Sequence, residues 1–216
     1  MGIQERKERE KERRRQQIMV AAKRVFVEKG FGGATMEDIA REAELSAGTL
    51  YLYFKNKNEL YASLTLRVLQ YLNIRLEHLS NDKESDLRGK ISNIKDALLD
   101  VYEFDPLILR NLFHLQSSEV FKHLSPELIE EIKIIGRKAL EKLATLFQQG
   151  IRKGICIQYH PTAVADVVWA LFSGVVLWET SKSTIDKEKD YLKQTLETAF
   201  EIFENGIMVQ QREIVG

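Results

Sequence analysis

Residues 35–57, TMEDIAREAELSAGTLYLYFKNK, constrain the fold of this chain more than any other stretch. Thr35 and Asp38 stand in the Ser/Thr-x-x-acid pattern that caps a helix. Behind them Met36, Ile39, Ala40 and Ala43 recur at three- and four-residue spacing, so one narrow apolar face is predicted. Glu44, Leu45 and Ser46 make a corner, with Ser46 placed to cap a second helix of about two turns. Asn56 and Glu59 repeat the capping signal for a third helix. A helix, a tight corner and a second helix presented outward form the helix-turn-helix plan.

The second helix divides by angle. At about 100° per residue, Ala47, Leu50 and Phe54 share an inward face. Gly48, Thr49 and Leu52 lie opposite, and Tyr51 and Tyr53 flank them. A small outward face suits a helix that must approach a groove closely, and Lys55 and Lys57 beyond it suit phosphates on the groove's walls. The plain alternative is a small helical hairpin with tyrosines half-buried at its rim.

These residues carry a family resemblance. Ala22, Phe26, Gly30 and Phe31 are followed by Thr35, Ile39-Ala40, Ala43, Leu45-Ser46, Gly48-Thr49-Leu50-Tyr51, Tyr53-Phe54, Lys57 and Leu60. Over about residues 18–62 the pattern resembles the DNA-binding domain of TetR-type transcriptional repressors. The resemblance implies a DNA-binding regulator, most simply a repressor that holds a palindromic operator as a homodimer and is released by a small molecule. Expected DNA contacts are Thr35, Ser46, Ala47, Gly48, Thr49, Tyr51, Leu52, Tyr53, Lys55 and Lys57. Arg14 joins them from a basic block, Arg13 to Arg15, at the start of the first helix. A helical scaffold, or a nucleoid-organising protein with no inducer, is the competing reading.

Charge supports a division of labour. The whole chain balances 32 Lys and Arg against 32 Asp and Glu, but residues 1–60 hold 13 against 10 and residues 61–216 hold 19 against 22. A mildly basic head on a mildly acidic body fits DNA contact at one end only. The expected domains are accordingly 1–60, a helix-turn-helix domain with a charged helical extension, and 61–216, a helical domain for ligand binding and dimerisation.

Beyond the head the pattern is helical throughout, and the fold class is all-α with about nine helices. The charged run 5–17 leads straight into Ile18, Ala21, Ala22, Val25 and Phe26, so one long first helix is predicted, ending at Phe31-Gly32-Gly33. A linking helix should run from Lys57 to about Leu79, and another from Asp86 to Phe104. Pro106 opens a further helix, Ser125-Pro126 gives a cap followed by a first-turn proline, and His160-Pro161 starts the next. Residues 163–178 are apolar nearly all round and demand burial on both faces. Asp186 begins the last helix. Of these, Phe172, Val176, Trp178, Leu196, Phe200 and Phe203 are the expected dimer interface, with Gly174 permitting close approach.

A ligand pocket is expected from Tyr102, Phe104, Phe113 and Trp169 as an apolar wall, with His114, Gln116 and Ser117 as polar contacts. No basic residue sits within an apolar stripe there, so the inducer should be apolar or weakly polar. No catalytic constellation is visible: the glycines follow a helix rather than a strand, and no G-x-S-x-G elbow is present. The protein is expected not to be an enzyme, and no cofactor is expected. Four scattered histidines and one cysteine, Cys156, supply no metal-ligand spacing, and Cys156 reads as a small buried hydrophobe, with a redox-sensing thiol as the alternative. Met1 is followed by a charged stretch from Glu5 rather than an apolar run, which predicts no signal peptide. The most apolar run, Val167 to Trp178, is shorter than the roughly 20 residues a bilayer requires. A cytoplasmic protein with no membrane partner is expected.

Overall fold

In a computed structural model of the chain, residues 2–107, 109, 124–185 and 191–209 are described, 183–185 by their backbone alone. Nine helices have both ends among them: α1 (Ile3–Gly33), α2 (Met36–Glu42), α3 (Ala47–Tyr51), α4 (Lys57–Asn81), α5 (Leu87–Ser92), α6 (Ile94–Phe104), α7 (Pro126–Arg152), α8 (Pro161–Ile185) and α9 (Leu192–Ile207). The all-α class holds. Two compact units are present. One holds the chain up to Arg67 with a later segment ending at Glu131; the other runs from Val68 and resumes at Ile132. The division falls inside α4, between Arg67 and Val68.

In the first unit α1 packs through Ile18, Met19, Ala21, Ala22, Val25 and Phe26, the stripe its sequence shows, while residues 3–13 stand exposed. The rings of Phe26, Phe31 and Tyr61 meet with centroids 5.0–5.6 Å apart, and Ile39, Leu50, Phe54 and Leu60 close the core around them. Each fully buried ring removes enough apolar surface from water to contribute about 2–3 kcal/mol. The helical run breaks at Gly30, whose φ of 69° only glycine adopts freely.

The second unit is built on α4 from Val68 onward and on the later helices. Leu72, Leu76, Ile94, Leu98, Val101, Phe147, Val168, Phe172, Val176 and Leu196 are its buried centre. The helix expected over 86–104 is interrupted at Asn93, which holds φ −75° and ψ −5° between α5 and α6. Asp86, where that helix was expected to start, caps α5, its Oδ1 accepting from Gly89 N at 2.7 Å; the cap read from sequence at Ser125, in the first unit, is present, with Oγ accepting from Leu128 N at 3.3 Å. The helix opening at Pro106 lies almost wholly outside the described residues, and so does Asp186; the last helix begins at Leu192.

A clip ties the α7–α8 loop to the end of α9. Ile157 N donates to Ile207 O at 2.9 Å and Val209 N to Ile155 O at 2.8 Å, around an isolated antiparallel bridge between Cys156 and Met208. Gly150 makes room for it, because a Cβ there would stand 2.6 Å from Cys156 Sγ. Burial pushes the Cys156 thiol above its ordinary value, the reverse of what a reactive thiolate needs.

Two expectations about α8 and α9 require correction. Phe172, Val176 and Leu196 have no exposed surface and Phe200 has 6 %, so these four belong to the protomer's own core, and Phe203 is half-buried against Phe147 and Phe200. Of the six expected dimer residues only Trp178, 63 % exposed, faces outward. The outward apolar stripe of α8 is instead Val167, Ala170, Gly174, Leu177 and Trp178. The apolar stretch is also longer than the run counted in the sequence. Pro161–Lys182, 22 residues with a mean hydropathy of 1.6, is long and apolar enough to cross a membrane. Its inner face, with Val164, Ala165, Val168, Phe172 and Val176, is buried as in a core helix, and Glu179 on it is bonded to Thr195 and Lys182.

Candidate nucleic-acid interface

The α2–α3 pair is assembled by local hydrogen bonds. Thr35 Oγ1 accepts from Asp38 N at 3.1 Å while Asp38 Oδ2 accepts from Thr35 N at 3.3 Å, the reciprocal cap its sequence predicts. Lys29 bonds Asp38 at 2.7 Å, and this bond, helped by Thr35, draws the Asp38 carboxyl down to about 2 from 3.8. Lys29 is nine residues away in sequence, and no local signal marked it.

The corner closes by a paired arrangement: Leu45 N bonds Ala40 O at 2.8 Å and Glu44 N bonds Arg41 O at 3.1 Å. Glu44 takes the left-handed conformation there, φ 56°, where glycine is usual. Ser46 Oγ then accepts from Thr49 N at 3.0 Å and shares a 2.8 Å hydrogen bond with the Thr49 hydroxyl. The resulting α3 is five residues long, shorter than the two turns expected, with turns continuing through Tyr53 and Phe54.

The angular reading separates Leu50 and Phe54 from Gly48 and Leu52, but Ala47, expected inward, and Thr49, expected outward, are covered alike. Leu50 and Phe54 are buried; Ser46 and Gly48 are exposed; Ala47, Thr49 and Tyr53 are half-buried. Tyr51 is 46 % exposed and Leu52 81 %, the highest value among the described large apolar side chains. Thr35 and Lys55 are exposed. Arg14 is partly covered, 4.0 Å from Glu10, and donates to Gln17 Oε1 at 3.0 Å.

Lys57 is placed differently from expectation. Its ammonium donates to Phe31 O at 2.6 Å, Ala34 O at 2.8 Å and Gly32 O at 3.4 Å, and lies 4.7 Å from the Phe31 ring centre. These acceptors are the carbonyls of the turn that ends α1 beyond Gly30 and of Ala34 just after it, so in this geometry the residue braces that turn instead of offering a charge to a phosphate.

The expected ligand wall is only partly visible. Phe113, His114, Gln116 and Ser117 lie outside the described residues. Tyr102 is half-buried, Phe104 stacks on Tyr71 at 4.4 Å with 42 % of its surface exposed, and Trp169 is half-buried 5.9 Å from Phe172. A cleft of about 460 Å³ in the second unit, between Ile91–Asp96 and α9, contains none of the expected ligand residues.

Known proteins match this architecture. The sequence profile of the bacterial regulatory proteins of the tetR family matches residues 18–64, the head just described. An uncharacterized HTH-type transcriptional regulator of Bacillus subtilis, YhgD, is 24% identical over 178 residues, covering 81% of this chain and 89% of the relative. A structure from Shewanella sp. PV-4 assigned to TetR-family transcription regulators is 25% identical with a TM-score of 0.61, covering 91% of this chain and 99% of that one. The regulator FadR of Bacillus subtilis, solved with stearoyl-CoA, shares the fold with a TM-score of 0.67 at 22% identity, over 89% of this chain and 98% of its own. These relatives are regulators rather than enzymes. Residues 18–64 of this chain are a DNA-binding head of the tetR family of bacterial regulatory proteins, and the chain as a whole is similar in fold to regulators of that family.

Proposed function

We propose that the protein is a repressor that binds a palindromic operator as a homodimer, reads bases through α3 and releases DNA when a small, mostly apolar ligand enters its helical body. Leu52 carries the reading. An apolar side chain 81 % exposed at the end of a five-residue helix is wasteful in water and useful against a thymine methyl in the major groove. Thr49, Tyr51 and Tyr53 surround it, and Gly48 permits backbone approach.

Support for a dimer comes from the apolar stripe of α8, where Gly174 has open space beyond it and lets a second helix come close. Two heads on one two-fold axis would read half-sites about 34–36 Å apart. For the ligand, the acyl-CoA bound by FadR makes a long acyl chain the first compound to try. Such a regulator acts in the cytoplasm, where its DNA is.

The test is selection of binding sites from a random duplex pool, followed by titration against salt and against DNA from upstream of the protein's own gene. The expected result is a palindrome preferred over bulk DNA by about three orders of magnitude or more, with a steep salt dependence from counterion release. Binding without sequence preference would favour the nucleoid-organising reading, and no binding a scaffold. Adding long-chain acyl-CoA to the complex tests release.

A further inference from the structure

The last four carbonyls of a helix have no partner within it, and short helices leave a large share of their polar groups in that state. In the head, two such ends are met by side chains from α1. Arg15 Nη1 donates to Tyr53 O at 3.1 Å, and its guanidinium carbon lies 4.4 Å from the centre of the Phe54 ring. Gln17 Nε2 donates to Ala43 O, at the carboxyl end of α2, at 2.9 Å. Residues two apart on a helix project about 200° from each other. Arg15 and Gln17 therefore straddle the stripe that begins at Ile18 and grip the two helices of the motif from opposite flanks. Arg14 adds to this, because its bond to Gln17 Oε1 turns the Gln17 amide so that its NH2 faces Ala43.

The peptide held by Arg15 lies between the outward residue Leu52 and the buried residue Phe54, 81 % and 1 % exposed. Moving its carbonyl would swing Leu52 and Tyr53 relative to the core. A planar guanidinium can stack on Phe54 and donate to Tyr53 O at once, whereas an ammonium can make the bond without the same stacking. The three arginines of the block thus differ. Arg13 is exposed and bonded to Glu10 at 2.6 Å; Arg15 turns inward.

We propose that Arg15, seconded by Gln17, is a positioning residue for sequence readout: it fixes the carboxyl end of the recognition helix and contacts no phosphate. The inference rests on the reading of α3 as the base-reading helix. It predicts a loss of discrimination with no change in the electrostatic part of binding, a pattern that a phosphate contact cannot produce.

The experiment measures binding of Arg15→Met, Arg15→Lys, Gln17→Met and Leu52→Ala to the duplex selected by the intact protein and to a scrambled duplex, across a salt series. Circular dichroism checks folding. Arg15→Met should bind the selected duplex about tenfold more weakly, the worth of one charged hydrogen bond, with scrambled-duplex affinity and salt slope unchanged. Arg15→Lys should recover part of the loss, and Gln17→Met should show a smaller loss of the same kind. Equal weakening on both duplexes with the slope reduced by about one unit would make Arg15 a phosphate contact and overturn the proposal. No change on either duplex would overturn it as well. Should Arg15→Met fail to fold, Arg15→Lys and Gln17→Met decide by the same two criteria. Leu52→Ala separates the underlying reading: if it leaves base preference intact, α3 readout through Leu52 fails, whatever the Arg15 variants do to the ratio of the two affinities.

Discussion

Replacing Lys57 by methionine should destabilise the head without weakening its electrostatic grip on DNA. Methionine keeps the unbranched stem and removes the ammonium, which bonds Phe31 O at 2.6 Å and Ala34 O at 2.8 Å and lies 4.7 Å from the Phe31 ring. Hydrogen bonds to a charged group contribute about 1.5–3 kcal/mol each. The site is half-buried, so water can replace part of each bond and the lower end applies. Two bonds at that end give about 3 kcal/mol, and relaxation of the exposed Gly32 and Gly33 reduces the expected loss to roughly 2 kcal/mol. With a urea dependence of about 1–2 kcal/mol/M for a unit of this size, the head's transition should move down by about 1–2 M. Both tryptophans, Trp169 and Trp178, lie in the second unit. Circular dichroism should therefore show the early transition and tryptophan fluorescence should not. An unchanged transition, with the salt slope of DNA binding lower by about 0.9, the value for one lost phosphate contact, would refute the bracing role.

Leu52→Ala should cost about 1–2 kcal/mol on the preferred duplex and relax preference at one position of each half-site, read by repeating the site selection. Trp178→Glu should give a folded monomer by sedimentation, because that residue is exposed, whereas Phe200→Glu should unfold the second unit, because Phe200 is core; a dimeric Trp178→Glu would move the interface off this part of α8. Asp38 supplies a pH dependence. Its folded carboxyl is depressed to about 2 from 3.8, first by the Lys29 bond, so its stabilisation is fully present above about pH 4 and is lost as pH falls through 2. Acid titration of Asp38→Asn should lack that part of the wild-type loss between pH 4 and 2, and an identical acid limb in both proteins would show the pairing to be inert.

The sequence made local devices legible and left distant ones dark. Thr35 with Asp38 and Ser125 with Leu128 bond across three residues, so spacing alone reveals them. Lys57 reaches carbonyls 23 to 26 residues away, and Arg15 one 38 away. Their basic character suggested phosphate because no pattern within a helical turn marks an inward partner. The apolar pattern of α8 demanded burial on both faces and the protomer covers only one; periodicity does not tell which stripe the protomer covers itself. Phe172 and Leu196 went inward and Trp178 outward. The break at Asn93 escaped for a related reason, since the apolar period of α5 and α6 continues across it.

The clip between Ile155–Ile157 and Ile207–Val209 turns α8 and α9 into a closed loop within the chain. Two segments far apart in sequence must come apart together before either helix can leave, so the pair is one cooperative block. The apolar stripe of α8 proposed to meet a second copy lies on that same block, and a partner seated there would slow the clip's opening without touching it. Ile157 and Val209 are thereby amide reporters: their hydrogen exchange follows the opening of the block and not the fraying usual near a chain's end. A protein cut before Met208 would lose the Val209 N–Ile155 O bond and the Cys156–Met208 bridge, leaving the Ile157 N–Ile207 O bond to hold the latch alone.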